Sequence, residues 1–273
     1  MQRSLADWLI ATDKSAAQEK TVSRILRIAK AKTAEDAIAF FSATGELDLS
    51  ADPWLKSPPP MDMAVVASIS TIRSVKLDAQ PMENFETVEL MVQLQKLSIK
   101  NSRVGDFIFL SKLVNLTHLH VDETGFFDFS ILTSLTKLKV LGVGKNEIRS
   151  LNALCEHRNL EEVCAPDNNI TDVKFVESLP ELRKVNLANN MVDDISPFAK
   201  SKKLRWLDIT RNKVSDLAPL RDLKDLADLI VRDNCVRDLK PLRDMWGLVS
   251  LGIGGNPIHE EDLEDISRKV RIT

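Results

Sequence analysis

"LRWLDITRNKVSDLAPLRDL" occupies residues 204–223 and "LADLIVRDNCVRDLKPLRDM" occupies residues 226–245. The second is the first moved on by 22 residues, with the same apolar positions and a changed set of polar ones. Carried along the chain, that step marks Ile72, Leu94, Leu116, Leu138, Leu160, Leu182, Leu204, Leu226 and Leu248 without an insertion. Three residues after each stands Val75, Leu97, Leu119, Leu141, Val163, Val185, Leu207, Leu229 or Leu251, and two further on Leu77, Ile99, Val121, Val143, Ala165, Leu187, Ile209, Val231 or Ile253. An apolar alternation of period two over so few residues describes a short strand with one buried face. Each repeat therefore opens on a strand.

Asn146, Asn168, Asn190, Asn212, Asn234 and Asn256 follow at one fixed place, where the chain must leave the strand. A carboxamide there both donates and accepts, so it can pair backbone groups that a buried turn would otherwise strand. The pattern LxxLxLxxNxI resembles the leucine-rich repeat family, in its 22-residue class, to which the internalins and a regulatory subunit of protein phosphatase 1 belong. The resemblance runs from about Ile69 to the C-terminus and weakens where Gln80, Ser102 and Thr124 replace the Asn. It implies an α/β solenoid, a right-handed horseshoe with a parallel concave β-sheet, short 3₁₀ or α turns on the convex side, a helical N-terminal cap and a C-terminal capping helix.

In the second half of each repeat Phe85, Phe107, Phe129, Leu151, Val173, Ile195, Leu217 and Leu239 are each followed three residues later by another apolar residue. That spacing fits one turn of 3₁₀-helix, and Pro197, Pro219 and Pro241 fit its first turn, where a missing N–H is harmless. The three Phe are expected to stack as a spine. One such unit cannot bury its apolar face alone; stacked units bury one another's. A stack also needs closed ends. The expected organisation is a helical cap over 1–50, with Ser15 and Thr33 as helix starts and Gly45 as a stop, then a degenerate first repeat over 51–71. Nine repeats over 72–258 follow, and a capping helix over 259–273 with Leu263, Ile266 and Val270 on one face.

Composition narrows function. Forty acidic against 37 basic residues give a formal charge of −3, without a basic tract for nucleic acid or anionic lipid. No apolar run of membrane-spanning length occurs, and the first residues lack the features of a cleaved export signal. The direct expectation is a cytoplasmic protein, with export lacking a cleavable signal as the alternative. Cys155, Cys164 and Cys235 have no metal-ligand spacing and suit free thiols. No phosphate loop, GxSxG or HExxH motif is present, so no enzyme activity and no cofactor is expected.

The side chains between the leucines face outward on the strands, and there the contact surface is expected. The candidate partner-binding residues are His118, His120, Asp122, Val140, Glu162, Cys164, Lys184, Asn186, Trp206, Asp208, Asp228, Ile230 and Arg232. Trp206 stands out as an aromatic anchor, or else as cover over Lys184 or Arg205. His118, His120 and Asp122 carry metal-ligand chemistry, but same-face neighbours on a strand lie about 6.6 Å apart and diverge. Cys164 beside Glu162 lacks a neighbouring His to activate it. The expected function is a non-enzymatic module, itself a monomer, that binds another protein or peptide on the concave face. The alternatives are a regulatory subunit of an enzyme such as a phosphatase, which the resemblance implies, and a secreted or translocated effector or adhesin.

Overall fold

The computed structural model describes residues 3–52, 57–259, 262, 266 and 268–273, in two compact units, Met1–Phe126 and Phe127–Thr273.

The first unit opens on three helices, α1 (Leu5–Ile10), α2 (Ala16–Ala29) and α3 (Ala34–Thr44). Ser4 with Asp7 and Ser15 with Gln18 form reciprocal capping boxes, and the Thr33 hydroxyl accepts from Asp36 N. Gly45, at φ +66°, ends α3 in the left-handed conformation that a residue without Cβ adopts freely. The chain then lays down β1 (Glu46–Asp48), β2 (Met61–Asp62), α4 (Met63–Ala67), β3 (Ser74–Lys76), β4 (Met82–Glu83), β5 (Lys96–Ser98) and β6 (His118–His120). Strands β1, β3, β5 and β6 pair in that order, all parallel, and β2 pairs with β4. The sheet thus begins at Glu46, just past the helix stop at Gly45 and inside the segment 1–50 expected to form the helical cap. Leu47 pairs with Val75 and is buried, as any strand leucine of a repeat would be.

The second unit holds β7 (Val140–Gly142), β8 (Glu162–Cys164), β9 (Lys184–Asn186), β10 (Trp206–Asp208), β11 (Asp228–Ile230), β12 (Ser250–Gly252) and β13 (Arg271–Ile272). Each pairs in parallel with the next, and from β7 to β12 the register joins equivalent repeat positions. The closing helix expected over 259–273 is only partly within the described residues. Leu263 lies outside them, Asp262 and Ile266 are helical, and Arg271–Ile272 is a strand beside β12.

Between strands the chain makes 3₁₀ turns, among them Phe85–Leu90, Ile108–Lys112, Ser196–Lys200 and Ala218–Leu220. Parallel strands joined by such turns make the fold a leucine-rich repeat solenoid. In the second unit the strand leucines and the apolar turn residues are buried, with Leu207, Leu217 and Leu220 at most 1% exposed. At about 25 cal/mol per Å² of apolar area removed from water, this burial is the main favourable term.

The Asn side chains work as expected. Asn212 Oδ1 accepts from Val192 N at 2.9 Å, while its Nδ2 donates to Leu187 O and Ile209 O at 2.9 and 3.0 Å. Asn190 and Asn234 repeat this pattern on their own neighbours. In the first unit Ser102 keeps only the donor half, to Leu77 O and Lys100 O. Two further ladders went unread in the sequence. Ala79, Asn101, Glu123, Lys145, Asp167, Asn189, Arg211 and Asp233, one per repeat, all have φ between 49° and 56°. Asp106, Asp128, Asp172, Asp194, Asp216 and Asp238 each accept, through Oδ1, the N–H two residues on, and so start the 3₁₀ turn.

The aromatic spine needs correction in the first unit. Phe85 meets Phe109 edge-on at 5.1 Å, and Phe107 meets Phe126 at 5.0 Å and Phe109 at 6.5 Å. The buried Phe109 stands between the two rings expected to stack. Edge-to-face contact with a third ring favours the quadrupoles over a face-to-face column.

Candidate functional site

In the second unit the parallel register sorts the candidate residues into rows. Val140, Glu162, Lys184, Trp206 and Asp228 are partners across β7 to β11, and Cys164, Asn186, Asp208 and Ile230 form the row beside them. The first row is an electrostatic relay. Lys184 Nζ lies 2.9 Å from Glu162 Oε1 and 5.3 Å from the centre of the Trp206 ring. The ammonium is therefore held between a carboxylate and an aromatic face, both of which attract it. Trp206 is half-buried, so part of its ring covers Lys184 and part stays open. The reading of this residue as cover over Lys184 describes the contact.

Two members of the second row are hydrogen-bonded to backbone two residues on. Asn186 Oδ1 accepts from Ala188 N at 3.0 Å, and Asp208 Oδ1 from Thr210 N at 2.9 Å. These side chains shape the exit from the strand and have one acceptor atom committed. Ile230 and Arg232 lie over β12, where a Cβ on Gly252 would stand 3.0 Å from Ile230 Cγ2 and 3.2 Å from Arg232 Nε. A glycine there lets both side chains lie down. Cys164 has Gly142 and Asn186 as register partners, so neither paired strand offers an imidazole.

In the first unit β6 carries the other candidates. His118 Nδ1 and Thr117 Oγ1 are 2.9 Å apart. His120 Nδ1 is 3.7 Å from Asp122 Oδ2, and Lys100 Nζ reaches the same oxygen at 3.6 Å. The imidazoles thus face different groups, and Asp122 balances Lys100. Among the described residues no three His, Cys, Asp or Glu side chains gather as a metal-holding group. Nearby, Asp78 Oδ1 accepts from Ser98 Oγ at 2.6 Å and Lys100 N at 2.9 Å.

A second tryptophan escaped the sequence reading. Trp246 is 84% exposed, with Lys269 Nζ 5.0 Å from its ring centre, beside a cavity of about 510 Å³. The signal was present, because the preceding repeats place Lys224, Lys202, Pro180 and Arg158 at that position. Among the described residues no helix is long and apolar enough to cross a membrane.

The family described as Leucine Rich repeats (2 copies) matches residues 158–200. No curated protein matches the chain at the sequence level. Among solved structures, the internalin inlF of Listeria monocytogenes is similar at 20% identity and a TM-score of 0.61, over 94% of this chain and 90% of that one. A leucine-rich repeat protein of Leptospira interrogans is similar at 22% identity and a TM-score of 0.72, over 83% of this chain and 59% of that one. A plant peptide hormone receptor, RGFR1, solved in complex with RGF2, is similar at 14% identity and a TM-score of 0.66, over 83% of this chain and 39% of that one. At these identities the likeness is one of fold.

Proposed function

We propose that this chain, which folds as a leucine-rich repeat solenoid, is a non-enzymatic interaction module whose outward strand residues bind a protein or an extended peptide. The row Glu162–Lys184–Trp206–Asp228 in the second unit carries this reading. It offers a half-open indole, the kind of side chain enriched at the centre of protein interfaces, with charges of both signs around it as at a polar rim. The solved receptor of the same fold, named for its peptide hormone, supports a peptide or protein as the class of ligand. His118, His120 and Asp122 form a smaller polar face on the first unit that we assign to the same role. A near-neutral charge of −3 argues against nucleic acid.

The test is a partner captured from the producing cells and then measured in purified form. Trp206→Ala should weaken its affinity at least about tenfold, in the range of an interface anchor, while the unfolding midpoint stays close to native. Equal affinity of the variant and the native protein would remove Trp206 from the interface. A partner that loses affinity on replacement of turn residues alone would move binding off the strands.

A further inference from the structure

We propose that the first unit carries a second docking surface, on the side of its 3₁₀ turns, which takes a basic peptide segment through an apolar anchor. The turn Phe85–Leu90 lies against the turn Ile108–Lys112, and between them is a cleft of about 300 Å³. Its apolar wall is Phe85, Phe109 and Ile108, and its rim is Glu86, Glu89 and Asp106. A 3₁₀-helix has three residues per turn, so Glu86 and Glu89 leave it on the same side. The mouth is open at Gly105, where a Cβ would have nothing within 4 Å.

Two observations say that this is more than a solvated turn. Ile108 is 64% exposed and Leu90 49% exposed. The repeat register places Ser130, Asn152, Lys174 and Ser196 at the position of Ile108, and Lys112, Ser134, Glu156 and Ser178 at that of Leu90. Ile108 and Leu90 are thus apolar where the four repeats that follow each of them are polar. Exposed apolar groups inside a polar rim mark contact surfaces.

Charge then selects the occupant. Among the described residues, Glu86, Glu89 and Asp106 have no salt bridge to any basic side chain. The exposed basic residues Arg103 and Lys112 are near in sequence but do not line the cleft. A rim of unbalanced carboxylates repels nucleic acid, anionic lipid and acidic peptides, and attracts Lys and Arg. The cleft volume is at the small end for ligand sites, which suits one or two side chains of a larger partner. The occupant that fits is a peptide segment with an aliphatic or aromatic residue set between basic ones.

The experiment uses the full chain and a labelled peptide with a central Leu between runs of Arg, against a matched peptide with Glu in place of Arg. Fluorescence anisotropy should show binding of the first and not of the second. Ile108→Ser should weaken it about tenfold with an unchanged unfolding midpoint, because the side chain is exposed. The double variant Glu86→Gln/Glu89→Gln should weaken it and flatten its dependence on salt. Trp206→Ala should leave it as it is, which keeps this surface distinct from the strand face. The proposal fails if the Arg peptide does not bind, if the Glu peptide binds equally, or if Ile108→Ser binds like the native chain. It fails equally if sedimentation shows the native chain pairing with a second copy and Ile108→Ser abolishing that pairing.

Discussion

A buried carboxamide with a backbone acceptor on either side cannot be shortened without loss. Removing the Asn212 side chain leaves Val192 N without an acceptor, and Leu187 O and Ile209 O without this donor. Each buried unpaired polar group is worth about 1–3 kcal/mol, so Asn212→Ala should lower stability by about 2–4 kcal/mol in a urea titration. A loss under about 1 kcal/mol would mean that water substitutes for the amide. The left-handed residues make a second prediction. Ala79 sits at φ 55°, which any Cβ makes unfavourable by about 1–2 kcal/mol and a β-branched one by more. Ala79→Val should therefore destabilise by about 1–2 kcal/mol, while Ala79→Gly should change stability by less than about 1 kcal/mol, since strain relief and added chain entropy oppose each other. The Asn row was legible because one amide chemistry recurs at one spacing. The left-handed row was not, because Ala79, Glu123, Lys145 and Arg211 bear no mark of that conformation, although Asn101, Asp167, Asn189 and Asp233 do. Trp206 was legible as a candidate from its size and its place between two leucines, but its partner Lys184 was one of two choices. Only the parallel register decides between Lys184 and Arg205.

At the scale of elements, strand positions followed from the apolar alternation, and helix ends from Ser15, Thr33 and Gly45, because each of those signals is local. The turn ladder is equally local and shows how an acidic residue repeated along the chain can be structural. Asp194 Oδ1 accepts from Ser196 N at 2.7 Å, and this hydrogen bond holds the Asp194 carboxyl below the ordinary aspartate range. A lowered folded value means that the carboxylate adds stability above the pKa of the unfolded chain, and that this is lost as the pH falls through the folded value. Asp194→Asn should therefore remove part of the stability difference between neutral and strongly acid solution. Asp194→Ala, which deletes the acceptor, should lower stability by about 1 kcal/mol at neutral pH in thermal unfolding. The ends were less legible. Strand β1 needs its partner β3 and strand β13 its partner β12, so neither segment carries the pattern of a repeat in isolation. Phe109, two residues after the expected Phe107, reorders the rings because packing selects whichever aromatic reaches the interior.

For the molecule as a whole, stability in a stack is a sum of units and of interfaces between neighbours. Asn190 and Asn212 each bond their own repeat and the one before, which makes that interface explicit. Hydrogen exchange on Asn212→Ala should accordingly show lost protection at Val192, Leu187 and Ile209, with the amides of α2 exchanging as in the native protein. Uniform loss along the whole chain would show a single all-or-none transition instead.

The reach of those amides sets what lengths the protein can take. Asn190 Nδ2 bonds Ala165 O and Asn212 Nδ2 bonds Leu187 O, always 25 residues back. Deleting one whole coil would bring each surviving amide to an equivalent carbonyl, whereas deleting part of one would leave it facing the wrong atom. Gene duplication or loss in whole coils can thus lengthen or shorten the strand face in steps of about 4.8 Å, letting descendants resize their grip while every internal bond is reproduced.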